Sequence, residues 1–137
     1  MRWPSFRDRK IDLTAAAYAL VAELRRQYGP VSALALARLQ GVEVVSDRWQ
    51  VAAGRVVYYG ECTREPLRIV LNEAALEQTA QREELRELII AHELGHLLLP
   101  RPSVFASHTT IENAAHAFAQ AWVQQSSVEM HGVFFRD

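Results

Sequence analysis

Cysteine is almost absent from this chain. Cys62 is the only one in 137 residues, so no disulfide forms within it and no cluster of thiolates holds a structural zinc. Charge of one sign is also lacking. Lys and Arg number 15 against 16 Asp and Glu, a formal net charge of −1. Such a balance gives no global field to draw in nucleic acid or an anionic membrane. Basic residues gather only at the start, at Arg2, Arg7, Arg9 and Lys10, where a solvated arm accounts for them. No stretch reaches the roughly 18 apolar residues that span a bilayer, and the N-terminus has no continuous apolar h-region. The expectation is a protein of the reducing cytoplasm, with no membrane partner and no direct nucleic-acid partner.

What is present is ordinary for a globular chain. Half the residues are apolar and 23% are charged, which suits one packed domain of this length. The expected domain is 1–137, with an arm at 1–10 and a tail at 127–137 at its periphery. Ile11–Tyr28 reads as an amphipathic helix with apolar stripes at Ala15, Ala16, Ala19, Leu20, Ala22 and Leu24. Asp12 or Thr14 is its expected cap, and Gly29-Pro30 its stop. Val31–Gln40 reads as a second helix, ended by Gly41. Two such helices suggest a helix-turn-helix, but only Arg38 and Gln40 of the second could reach base edges.

The period then changes. Val42–Val45, Gln50–Tyr59 and Leu67–Leu71 have strand character, with a polar turn at 60–66 that contains Cys62. Asn72 is the expected cap of a helix beginning at Glu73. Helical character continues to Leu99, with a join near Thr79–Gln81 and a stop at Pro100-Arg101-Pro102. Ser107–Gln125 is the last expected helix, capped by Thr109 or Thr110. The fold class is therefore α+β: N-terminal helices and a small three-stranded sheet packed on two later helices.

His92-Glu93-Leu94-Gly95-His96 lies in the first of those later helices. Residues four apart share a helix face, so two imidazoles can grip one zinc ion while Glu93 reaches a water beside it. The flanks, Leu88-Ile89-Ile90-Ala91 and Leu97-Leu98-Leu99, are too apolar for an exposed face, and buried histidines need partners. A catalytic zinc takes a third protein ligand, which is His, Glu, Asp or Cys. Pro102 and Leu99 stand where an HExxHxxGxxH layout requires His and Gly, so that layout is excluded. Glu112, sixteen residues past His96, is the best candidate. Ala115, Ala119 and Trp122 would turn its helix onto the motif helix. His116, one turn after Glu112, is either a hydrogen-bonding partner behind the ligands or a spectator. Glu93 would act as general base and then as proton donor to a leaving amine. His108, Tyr58 and Tyr59 are candidates for stabilising an oxyanion. Arg55–Tyr59 or Leu67–Leu71 could bind an extended substrate along a sheet edge.

From about Ala15 to Trp122 the sequence resembles the ImmA/IrrE family of small zinc metallopeptidases. Three segments carry the resemblance. Leu67-Arg68-Ile69-Val70-Leu71-Asn72 is similar to the family's strand ending in Asn. Ile90 to Leu99 is close to its core motif. Glu112 to Ala119 resembles its E-x-x-A-N/D-x-F-A helix. The resemblance implies a zincin-like fold and one Zn²⁺ held by His92, His96 and Glu112, with Glu93 as general base. It also implies a protein substrate such as a helix-turn-helix repressor or antitoxin. The chain departs from the family pattern at Pro100, often His, at His116, usually Asn or Asp, and at Trp122-Val123-Gln124-Gln125, where an LLMP-like ending is common. The competing expectation is a zinc-binding protein without catalysis, acting as a partner-binding component of a toxin–antitoxin or phage regulatory system.

Overall fold

The structure is a computed structural model that describes residues 12–48, 58–100 and 107–123. Within them are five helices and a three-stranded sheet, an α+β arrangement. Helix α1 (Leu13–Tyr28) is capped by Asp12, whose Oδ1 accepts from the Ala15 amide at 3.0 Å. It stops at Gly29, where φ is 79°, a conformation that favours glycine. Its buried stripe is Leu13, Ala17, Val21 and Leu24. Ala15, Ala19 and Ala22 are exposed, so the stripe read from the sequence is displaced around the helix. Alanine populates every face of α1, and its packing on a later helix decides which face is covered. Helix α2 (Ala33–Leu39) starts two residues later than expected, capped by Ser32 Oγ at 3.0 Å from the Ala35 amide.

The strands are β1 (Glu43–Asp47), β2 (Gly60–Arg64) and β3 (Leu67–Asn72), in the order β1-β3-β2. Strand β3 pairs in parallel with β1, Val44 opposite Ile69. It pairs antiparallel with β2, Cys62 again opposite Ile69. Two expectations change here. The segment taken as a polar turn at 60–66 is strand β2 with a two-residue turn at Glu65-Pro66, so Cys62 lies in a strand. Leu67–Leu71 is the central strand and offers no edge to a substrate. The expected strand Gln50–Tyr59, with the candidate edge Arg55–Tyr59, falls outside the described residues up to Val57.

Helix α3 (Glu73–Leu76) is a single turn, followed by α4 (Arg82–Leu98). Asn72 does not cap α3 with its side chain. Its Nδ2 donates instead to the Tyr58 carbonyl at 2.8 Å, and its amide to the Tyr59 carbonyl at 2.8 Å. A buried side-chain amide thus fixes the chain as it enters β2. The salt bridge between Arg86 and Glu73 joins α3 to α4.

Helix α4 is the centre of the molecule. Leu85, Leu88, Ile89, Ile90, Ala91, Leu94 and Leu97 are all buried, as expected of a helix covered on several sides. The sheet and α2 cover part of it, and helix α5 (His108–Val123) packs on another face. Ala114, Ala115, Phe118, Ala119 and Trp122 of α5 are buried, and α1 closes over α5. The cap of α5 is Ser107, whose Oγ accepts from the Thr110 amide at 3.1 Å, not Thr109 or Thr110. At the far end of α4, Arg64 donates to the carbonyls of His96 at 2.7 Å and Leu97 at 3.3 Å. That contact ties β2 to the last turn and satisfies carbonyls left open at a helix end. No helix among the described residues is long and apolar enough to cross a membrane.

Candidate metal centre

The 3.6-residue repeat of α4 points His92 and His96 toward α5. Their Nε2 atoms are 3.1 Å apart. From α5, Glu112 reaches between them, with Oε2 3.2 Å from His92 Nε2 and Oε1 2.9 Å from His96 Nε2. His116 follows one turn later on α5. Its Nε2 is 4.0 Å from Glu112 Oε2, and its ring centroid is 4.6 Å from that of His92. His92, Glu112 and His116 each offer a ligand atom, all within 4.8 Å of one another. The side chains are 0% exposed at His92, 10% at His96, 16% at Glu112 and 30% at His116. The cluster therefore has a closed inner wall and an open outer one.

Two glycines allow this convergence. A Cβ on Gly95 would lie 3.1 Å from Ala115 Cα, 3.2 Å from Phe118 Cβ and 3.3 Å from the Ala115 carbonyl oxygen. Gly95 therefore lies at a close approach of α4 to α5, one residue before His96. A Cβ on Gly60 would lie 2.7 Å from Ile89 Cγ2 and 3.9 Å from Glu93 Cγ, so the start of β2 lies against Glu93. Gly95→Val is expected to cost about 1–3 kcal/mol and to weaken metal binding, because α5 must move outward with Glu112. Urea denaturation and chelator competition measure both. Unchanged values would show that the interface tolerates the added methyl groups.

Burial pushes the His92 imidazole down to about 4, against the opposing hydrogen bond to Glu112. His92 is accordingly neutral near pH 7, with a lone pair to give to a metal. The sign of the stability effect follows. The unfolded imidazole binds its proton below about 6.5, and the folded one only below about 4. The metal-free fold keeps this stability above pH 6.5 and loses up to about 3 kcal/mol as pH falls to 4. Urea midpoints of chelated protein at pH 7 and pH 4.5 should differ accordingly. Equal midpoints would contradict a buried neutral His92.

The sequence-derived residues divide into two groups. His92, His96, Glu112 and His116 come together. Glu93 is fully buried on the same helix, on the side facing Gly60. His108 is exposed at the first position of α5, Tyr58 is exposed, and Tyr59 is half-buried just before β2. Among the described residues, none of those three side chains is hydrogen-bonded to the cluster. Arg64 and Gly95 matter to the geometry and were not singled out from the sequence. A glycine within an apolar helical run was the available signal for Gly95.

A hollow of about 280 Å³ opens beside His96, walled by Leu13, Cys62, Leu99, Ile111 and Ala114, with Arg64 at its side. A larger one, of about 500 Å³, lies away from the cluster around Arg25, Glu87 and Trp122. Chemistry and not size marks the first as the functional candidate. Comparison with family models, curated proteins and solved structures returns no match for this chain.

Proposed function

We propose that the chain is a zincin-like, zinc-dependent endopeptidase that cuts a specific cytoplasmic protein. The observation that carries this reading is the convergence of His92, His96 and Glu112 from two helices on one point. A tetrahedral zinc with bonds of about 2.0–2.1 Å separates its donor atoms by about 3.3 Å. The distances of 2.9 to 3.2 Å between these three residues suit that geometry with little adjustment. Bound there, zinc would polarise a substrate carbonyl and lower the pKa of a water toward roughly 7.

The remaining chemistry belongs to the protein. Glu93 takes the proton of the attacking water at its carboxylate and gives it to the departing amine. Its burial keeps that carboxylate away from bulk solvent. The apolar hollow beside His96 receives a substrate side chain. The resemblance to the ImmA/IrrE family supports a helix-turn-helix repressor or antitoxin as the substrate. The test is incubation of zinc-loaded protein with any helix-turn-helix protein found encoded beside its gene, read by mass spectrometry. One cut, abolished by chelation and restored by zinc, is expected. Stable association without cutting would favour the non-catalytic, partner-binding reading.

A further inference from the structure

His116 is more than a neighbour of the cluster. It stands on the same face of α5 as Glu112, one turn on. Its Nε2 is 4.0 Å from Glu112 Oε2, too long for a hydrogen bond between that pair. Donors on one tetrahedral zinc stand about 3.3 Å apart, so a shift of about 0.7 Å would bring the His116 and Glu112 donor atoms to the spacing of a shared ion. The donor atoms of His92, Glu112 and His116 all fall within 4.8 Å of one another, so His116 faces the same space as the two residues beside it.

We propose that His116 is a fourth protein donor to the same ion, sharing it with His92, His96 and Glu112. The proposal rests on the zinc reading above and sharpens it. Four protein donors fill a tetrahedral shell, as in closed zinc sites, whereas a hydrolytic site keeps one position open for water. The fourth position is thus taken in the resting protein, and hydrolysis requires the imidazole to turn away. The structure has room for that movement. His116 is part exposed and borders a shallow hollow of about 460 Å³ formed with Thr14, Tyr18, Asn113, Ala117 and Gln120. Rotation of its side chain carries the ring from the ion into that hollow and leaves the α5 backbone in place. The centre then has a resting form with four protein donors and a working form with three.

X-ray absorption of the zinc-loaded full chain counts the imidazoles bound to the metal. Three are expected in the wild type and two in His116→Asn, with zinc affinity falling at least tenfold. His116→Gln repeats the measurement with a longer side chain, should the first variant fold poorly. A count of two in the wild type would overturn the proposal whatever the variants do, and would leave the zinc site itself standing. A wild type that binds no zinc would remove both. Loss of affinity with the imidazole count unchanged between wild type and variants would also overturn it, because a residue behind the ligands produces that result.

Discussion

Glu93→Gln is expected to hold zinc as the wild type does and to hydrolyse its substrate about 10² to 10⁴ times more slowly. The exchange keeps the size and shape of the side chain and removes its basicity. Glu93 is fully buried, and an ionised carboxylate there costs free energy that a neutral amide avoids. The exchange relieves that cost and also alters the contacts that Glu93 makes, so melting is measured beside cleavage. Slower cutting with equal zinc in a folded variant separates chemistry from folding. Undiminished cleavage by Glu93→Gln would remove the residue from the mechanism. Cleavage lost together with zinc would instead make it a structural support of the ligands.

Glu112→Ala is expected to weaken zinc binding by more than the 10- to 100-fold that follows loss of an outer hydrogen-bonding partner. Its carboxylate is the only group from α5 that lies within 3.2 Å of both α4 imidazoles among the contacts described above. Removing it leaves only imidazole donors and takes the negative charge of Glu112 away from the ion. Competition with a coloured chelator measures the change, and metal content after dialysis gives a second reading. Wild-type affinity in Glu112→Ala would show that the two histidines find their third ligand elsewhere. Because α5 packs through Ala115, Phe118, Ala119 and Trp122, the helix should stay docked in the variant.

The sequence is most legible where the chemistry is local. Two histidines four apart in an apolar helical run point to one face of a helix, and α4 carries them so. Glu112 could be singled out because the apolar positions after it already say which side of α5 faces inward. Strand β2 was not legible. Gly60-Glu61-Cys62-Thr63-Arg64 has no β-branched run and resembles a turn in composition. It is a strand because β3 offers it a pairing edge and Arg64 ties it to α4. Tertiary pairing overrides weak propensity in such segments. Asn72 shows the same limit. Its position before a helix suggests a cap, whereas its side chain serves the carbonyl of Tyr58, fourteen residues earlier. The approach of α4 to α5 at Gly95 likewise depends on a neighbour that the local sequence does not specify.

In the zinc site proposed above, the graded exposure of the cluster would also govern traffic. An ion arriving from solvent meets His116 and Glu112 first and His92 last, and a departing ion passes them in reverse. Residues on the outer wall would therefore set how quickly such an ion enters, while the sealed inner imidazole would set how long it is held. The two properties can drift apart under mutation, so a chain of this build can be tuned to load slowly and hold tightly, or to load quickly and let go.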